Sequence, residues 1–268
     1  MTIKALFFDM DGTLLTSEAK IASSTQNALK ICREAGIQVF LATGRPPSLR
    51  IMLHLTDPQR ELFASGGVFY NGGCIIVNGI KEYNPLPNRA LESAVDTVLN
   101  FPGVNMAIQM VDEKQSYRYE LSENEYRGMG VEQDSILHFK YPWEYEAVKI
   151  VVFSDHDLDE QIYRQLQNKI GAMANLYFVQ NNRVIDIVDK NTSKKLAIDR
   201  VAGICGLNHD EIAVFGDDLN DIEMLSGNRY SIAMGNACQA AKEVAAYITD
   251  SNDDNGIYHA LKEYLKLI

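Results

Sequence analysis

The chain has 268 residues, of which 46% are hydrophobic, and its formal net charge at pH 7 is −11. This length and apolar content suit one large or two moderate globular domains and exclude a largely disordered chain. The acidic balance argues against a nucleic-acid-binding protein, which needs a basic face, and no apolar run is long enough to cross a bilayer. Because the start of the sequence lacks a signal-peptide layout, we expect a cytoplasmic protein.

The N-terminal segment is predicted to alternate strand, helix and strand. Its first apolar run, Lys4–Asp9, predicts a strand. Apolar residues at helical spacing predict a helix over Thr25–Ala35, and Ser24 is placed to cap its start. Ile37–Thr43, a β-branched and apolar run, predicts a second strand. This order and spacing indicate two parallel strands joined by a right-handed crossover.

A glycine-rich segment, Gly66–Gly73, follows these elements. It lacks the spacing of a Walker phosphate-binding loop, so we do not interpret it as one. The pair Asn71-Gly72 favours a tight hairpin turn instead.

The middle of the chain mixes helices and strands without simple alternation. Helices are expected at Asn88–Leu99 and Leu158–Ile170, and strands at Val104–Met110, Tyr117–Glu120, Val148–Phe153 and Leu176–Gln180. This pattern is typical of an α+β insertion packed on one face of its own sheet. Proline and asparagine residues mark its entry, and an asparagine-rich turn ending at Arg183 marks its exit. We therefore divide the chain into a discontinuous α/β core, residues 1–82 and 184–268, and an inserted domain, residues 83–183.

The C-terminal segment returns to alternating helices and strands. The expected elements are a helix at Ser193–Cys205, a strand at Ile212–Phe215, a helix at Asp218–Leu225, a strand at Tyr230–Ala233, a helix at Gln239–Val244, a strand at Ala246–Thr249 and a helix at Gly256–Leu265. Asp218 is best interpreted as a helix cap. Both ends of the chain thus predict halves of one doubly wound, Rossmann-like parallel sheet.

Polar residues follow three of the predicted strands, where a doubly wound sheet binds its ligands. If these strands are neighbours, four carboxylates converge on one small volume: Asp9, Asp11, Asp217 and Asp221. Clustered carboxylates repel each other, and a hard divalent cation would offset this repulsion. With no histidine or cysteine beside these residues, all-oxygen ligation favours Mg²⁺ over zinc.

The neighbours of these aspartates suit phosphate chemistry. Gly12 and Gly44 let backbone N–H groups approach an anion closely, and Thr43 adds a hydroxyl donor. A carboxylate can attack phosphorus to form an aspartyl-phosphate. A second carboxyl group can protonate the departing alkoxide and then take a proton from the attacking water.

In their order and spacing these residues resemble the haloacid dehalogenase (HAD) superfamily of phosphohydrolases. The likeness is strongest to its Cof-type branch, which carries a large α/β cap of type IIB between the second and third motifs. FFDMDGTLL matches the first motif, LATGRP the second, Thr192-Ser193-Lys194 the third and FGDDLNDIEML the fourth. The resemblance covers essentially the whole chain. It also implies that Asn71-Gly72 lies near the substrate.

The resemblance implies a role for each matched residue. Asp9 would be the nucleophile and Asp11 the general acid/base. The metal ligands would be Asp9, Asp11 through its backbone carbonyl, Asp217 and, directly or indirectly, Asp221. The phosphate- and substrate-binding residues would be Thr43, Gly44, Arg45, Lys194 and Asn220. Lys194 is chosen over the adjacent Lys195 because it directly follows the serine of the motif.

These roles describe a Mg²⁺-dependent phosphatase that acts on small phosphorylated metabolites through an aspartyl-phosphate. Sugar phosphates are the first expectation, and phosphorylated flavin or vitamin precursors the second. Asp11 favours hydrolysis, because dehalogenases and P-type ATPases of the superfamily lack an aspartate at that position. Sugar phosphomutases keep both aspartates, so a mutase or phosphotransferase stays open, as does a non-catalytic metabolite-binding regulator. We expect no nucleic-acid or membrane partner, and a monomer or a homodimer.

Overall fold

A computed structural model describes residues 3–47, 55–128, 131, 133–139, 144–179 and 183–268. The chain divides into two compact units. The first comprises Met1–Arg45, Leu53–Glu82 and Lys194–Ile268, and the second comprises Pro46–Met52 and Tyr83–Ser193.

The strands of the described residues belong to two sheets. They are β1 (Ala5–Phe8), β2 (Gln38–Ala42), β3 (Gly66–Phe69), β4 (Cys74–Val77), β5 (Ile80–Tyr83), β6 (Asn105–Met110), β7 (Gln115–Tyr117), β8 (Ile136–Leu137), β9 (Ala147–Phe153), β10 (Ala174–Val179), β11 (Val184–Asp189), β12 (Ile212–Gly216), β13 (Tyr230–Ala233) and β14 (Tyr247–Ile248). The sheet of the first unit has the order β14-β13-β12-β1-β2-β3-β4-β5, and that of the second β10-β11-β9-β6-β7-β8.

The helices of the described residues are short. They are α1 (Ser23–Glu34), α2 (Asp57–Leu62), α3 (Asn88–Leu99), α4 (Glu123–Gly128), α5 (Glu160–Ile170), α6 (Lys194–Cys205), α7 (Ile222–Ser226), α8 (Gln239–Val244) and α9 (Gly256–His259), which a π-helical turn over Ala260–Tyr264 extends. Every helix in this part of the chain falls short of the length and apolar character that crossing a bilayer requires.

The first sheet confirms the expected doubly wound parallel core. From β14 to β3 each strand pairs in parallel with its neighbour, and β3 and β4 then form an antiparallel hairpin around the Asn71-Gly72 turn. The central strand β1 lies between β12 and β2, and Phe8 is in register with both Phe215 and Leu41. The carboxyl ends of these three strands are therefore level. The residues that follow them meet at one edge of the sheet.

Two local expectations for the helices had different outcomes. Ser24 does not cap α1, because the helix begins at Ser23 with Ala22 as its N-cap, and the Ser24 hydroxyl instead donates to Asn255 Oδ1. Asp218 is a cap as expected: its carboxylate accepts a hydrogen bond of 2.8 Å from the backbone N–H of Leu219.

The second unit is the expected α+β arrangement. Helix α3 has the predicted bounds, and α5 begins two residues later than predicted. Both helices cover one face of the six-stranded sheet through a buried apolar core. Its members include Leu91, Val95, Ile162 and Leu166 from the helices and Met106, Ile108, Ile150, Ile185 and Ile187 from the strands.

The boundary at the end of the second unit differs from the expected one at residue 183. Strand β11 follows that residue and pairs antiparallel with both β9 and β10, so it is an interior strand of the second sheet. The chain returns to the first unit only at Lys194. Asn181 and Asn182, which together with Arg183 suggested the exit, lie outside the described residues. Strands β10 and β11 are consecutive antiparallel neighbours, so the asparagine residues, interpreted as a domain boundary, instead stand between two strands of one sheet.

Candidate active site

Asp9 directly follows the central strand β1, and its backbone N–H donates to Phe215 O at 3.0 Å. Only 6% of the residue is exposed. A carboxylate oxygen of Asp9, one of Asp217 and one of Asp221 all lie within 4.8 Å of one another. Three of the four predicted aspartates thus converge at the carboxyl edge of the sheet.

Lys194, the first residue of α6, contacts two of these carboxylates. Its Nζ atom donates to Asp9 Oδ1 at 2.5 Å and to Asp221 Oδ1 at 2.6 Å, and its side chain is completely buried. Lys195 turns away and pairs with Asp199, on the next turn of the same helix. The structure therefore brings Lys194, and not its neighbour, into the site.

The cluster carries more negative charge than Lys194 can balance. Burial raises the pKa of Asp9 well above its usual range, and Asp221, Asp217 and Asp11 raise it further, while Lys194 opposes them. Burial and then Asp221 raise the pKa of Asp217 to about 7. Burial alone would lower the pKa of Lys194, but the charges of Asp221 and Asp9 raise it above its usual range.

The donor set fits Mg²⁺, because it consists of buried carboxylate oxygens with an excess of negative charge. Both carboxylate oxygens of Asp221 already accept hydrogen bonds within the protein. Its Oδ2 accepts from the backbone N–H groups of Asp217 at 2.9 Å and Asp218 at 3.2 Å, and its Oδ1 accepts from Lys194. Asp9 and Asp217 are therefore the better candidates for direct metal ligands, with Asp221 bracing the loop that carries Asp217.

Thr13, to which the sequence assigned no role, holds Asp217 in place. Its hydroxyl donates to Asp217 Oδ1 at 2.5 Å, and the residue is 1% exposed. Its position in the first motif could have suggested a role in the site. Its partner, however, lies 204 residues away and cannot be identified from the neighbouring sequence.

Gly12 lies directly against Asp217. Its φ of +83° favours glycine, and a Cβ atom there would overlap Asp217 Oδ2. We expect Gly12→Ala to displace that carboxylate and to lower kcat/KM for phosphate release by roughly 10²-fold, the effect of a misplacement of about 1 Å.

Gly36→Ala is the matched control for this substitution. Gly36 has the same φ, +83°, and no atom lies within 4 Å of its would-be Cβ. The two variants share the backbone strain and differ in the contact with Asp217. Equal activities in a steady-state assay of the two variants would contradict the assigned role of this contact.

Asp11 lies apart from the three clustered carboxylates. Its side chain is 51% exposed, and both of its oxygens accept hydrogen bonds from Arg45, from Nε at 2.7 Å and from Nη2 at 2.5 Å. Arg45, predicted to bind the phosphate or the substrate, thus pairs with the candidate general acid in this structure.

The remaining predicted residues each contact Arg45 or Asn71. Thr43 is fully buried, and its Oγ1 accepts from the Arg45 backbone N–H at 3.1 Å. Asn220 donates from Nδ2 to Asn71 Oδ1 at 3.0 Å. Gly44 packs against the same Asn71 side chain. The hairpin turn thus contributes to the site, which the sequence indicated only through the family likeness.

The chain is similar to known proteins over almost its whole length. A family model described as haloacid dehalogenase-like hydrolase matches residues 6–261. Relatives include the 5-amino-6-(5-phospho-D-ribitylamino)uracil phosphatase YwtE of Bacillus subtilis (strain 168), 24% identical over 285 residues and 98% of each chain. The HMP-PP phosphatase of Yersinia pestis (strain Pestoides F) is 28% identical over 271 residues, covering 96% of this chain and 94% of the relative. The solved structure of a HAD subclass IIB sugar phosphatase superimposes with a TM-score of 0.85 at 27% identity, over 99% of this chain and 100% of that one.

Proposed function

This chain belongs to the haloacid dehalogenase-like hydrolases and is a phosphatase, and from that premise we propose that it hydrolyses small sugar phosphates with Mg²⁺ through a phosphorylated Asp9. The observation that carries the proposal is the buried Lys194 ammonium, which joins Asp9 to Asp221 beside Asp217. A buried nucleophilic carboxylate next to a fixed cation is suited to attack on a phosphate ester, whose own negative charge must be offset.

Two displacements at phosphorus make up the reaction. In the first, an Asp9 oxygen forms a bond to phosphorus while the ester P–O bond breaks, and Asp11 gives its proton to the departing alkoxide. In the second, water attacks phosphorus, its proton passes to Asp11, and the bond to Asp9 breaks to release phosphate. Since both Asp11 oxygens contact Arg45, one of them must leave the guanidinium group before Asp11 can deliver a proton.

Several residues offset charge on the transferring group. Lys194 and the Thr43 hydroxyl would bind its oxygens. Mg²⁺, held by Asp9 and Asp217 with Asp221 behind them, would supply further positive charge against those oxygens. Thr13 and the backbone N–H groups that bind Asp221 keep the carboxylates in position.

Sugar phosphates are the favoured substrate class. The sugar phosphatase in the structural comparison supports it, as does the relative whose named substrate carries a phosphorylated ribityl chain. The HMP-PP phosphatase supports phosphorylated vitamin precursors as a second class to assay.

A panel of sugar phosphates, phosphorylated vitamin precursors and para-nitrophenyl phosphate, assayed for free phosphate with Mg²⁺ and with EDTA, tests the proposal. We expect Mg²⁺-dependent release, fastest with a sugar phosphate. Conversion of a sugar bisphosphate into an isomerised monophosphate without free phosphate would instead identify a phosphomutase. Binding without turnover across the whole panel would identify a non-catalytic metabolite-binding protein.

The raised pKa of Asp217, about 7, predicts how stability depends on pH. An unfolded aspartate loses its proton near pH 3.9, so between that pH and about 7 the folded chain binds more protons than the unfolded chain, and stability falls as pH rises. In EDTA we therefore expect a lower Tm at about pH 8 than at about pH 5.5. Mg²⁺ binds the ionised carboxylates, so it should raise Tm more at the higher pH.

Differential scanning fluorimetry at both pH values, with EDTA and with Mg²⁺, measures these shifts. Asp217→Asn is the control variant and should weaken both dependences. A Mg²⁺-induced rise in Tm that is equal at the two pH values would contradict the assignment of Asp217 as a titrating metal ligand.

A further inference from the structure

The turn between β3 and β4 has an unusual backbone. Tyr70, Asn71 and Gly72 are consecutive residues with positive φ, at 53°, 56° and 103°. Such conformations cost free energy for residues other than glycine, although asparagine tolerates them better than most. All three residues are buried. A strained, buried turn persists only where its surroundings hold it in place, and such turns cluster at functional sites.

The backbone of this turn is hydrogen-bonded to the loop that follows β2. The Asn71 N–H donates to Thr43 O at 3.0 Å, and the Tyr70 N–H donates to Arg45 O at 3.0 Å. These two bonds bracket Gly44. The turn therefore fixes the segment that is proposed to offer the Thr43 hydroxyl and the Gly44 backbone to phosphate.

The Asn71 side chain extends this support to a third segment. It is 1% exposed, and its Oδ1 accepts from Asn220 Nδ2 at 3.0 Å. A Cβ atom on Gly44 would lie 2.9 Å from the same Oδ1. Asn71 thus lies between the end of β2 and the loop after β12.

We propose that Asn71 is a positioning residue for phosphoryl transfer, which acts by orienting the Asn220 amide. The inference rests on the proposed function. With one N–H of Nδ2 engaged by Asn71, the plane of the Asn220 amide is fixed, and its second N–H is left for an oxygen of the transferring phosphoryl group. Without Asn71 the amide would rotate, and its donor would be misplaced as charge develops on that group.

A double-mutant cycle on the full-length protein tests this proposal, with para-nitrophenyl phosphate as the probe. Asn71→Gly removes the side chain and keeps a residue that adopts positive φ readily. We expect roughly a tenfold or greater loss of kcat/KM, mainly in kcat. In the Asn220→Ala background, Asn71→Gly should cause little further loss, since the group it orients is already absent.

Asn78→Gly is the matched control, because Asn78 also has a positive φ, 50°, but is exposed in the turn between β4 and β5. It should leave kcat/KM unchanged. Losses that multiply independently in the Asn71/Asn220 double variant, or an Asn71→Gly variant as active as wild type, would overturn the inference. Failure of wild type to release phosphate would overturn the proposed function instead, so the two failures are distinguishable.

Discussion

Replacing Asp9 by asparagine is expected to reduce phosphate release by about four orders of magnitude or more, the scale seen when a catalytic nucleophile is removed. An amide cannot attack phosphorus at a useful rate, so the first displacement stops. The fold should persist, since asparagine can still accept the hydrogen bond from Lys194. Its neutral side chain also avoids the burial of a charge, which is the main cause of the raised pKa of Asp9, and the repulsion by Asp221 and Asp217 that adds to it. We therefore expect the metal-free variant to be at least as stable as wild type.

Steady-state phosphate release, together with thermal unfolding in EDTA, measures both effects. Asp218→Asn is the matched control: it makes the same chemical change nearby, at a residue whose carboxylate caps Leu219, a role that asparagine fills equally well. Mass spectrometry of acid-quenched wild type should find a phosphoryl group on Asp9 during turnover. Activity that survives Asp9→Asn would mean that another group is the nucleophile.

Replacing Lys194 by methionine is expected to damage both activity and stability. Asp9 and Asp221 would lose the buried cation that they share, and removing one partner of a buried ion pair costs about 3–5 kcal/mol in the free energy of unfolding. The transferring phosphoryl group would lose a donor as well, which lowers kcat by about 10²–10³-fold. The destabilisation should be smaller at low pH, where Asp9, whose pKa is raised by burial, can take up a proton.

Lys195→Met provides the control within the same helix. The side chains of Lys195 and its partner Asp199 are 18% and 33% exposed, and a partly solvated pair four residues apart on a helix contributes only about 0–1 kcal/mol. Denaturant unfolding and phosphate release should therefore distinguish the two lysines. An inactive Lys195→Met beside an active Lys194→Met would reverse their assignment.

Much of the fold and part of the site could be predicted because the signals are local. An apolar run that ends in Asp9 predicts both the end of a strand and a polar side chain at that end. The apolar runs before Thr43 and Asp217 likewise predict strands that end at polar residues. Once these strands are parallel neighbours, their ends must share an edge. The closeness of Asp9 and Asp217 then follows from topology as much as from side-chain detail.

The features that sequence reasoning missed depend on contacts between distant residues. The pairing of Arg45 with Asp11 depends on side-chain rotamers, which residue pattern does not determine. The hydrogen bond from Thr13 to Asp217 and that from Asn220 to Asn71 join different motifs. The strand at Val184–Asp189 was missed because five of its six residues are buried, so it shows no alternation of apolar and polar positions.

The position of Lys194 at the return from the second unit has a consequence for folding. The contact between Lys194 and Asp9 spans 185 residues, and that between Thr13 and Asp217 spans 204. Contacts so distant in sequence form slowly, because a long stretch of chain must be ordered first. A nascent chain that ends at Ser193 would carry Asp9 and Asp11 but neither the lysine nor the second pair of carboxylates. Catalytic competence should therefore arise only after Asp221 has been synthesised, when β12 can pair with β1.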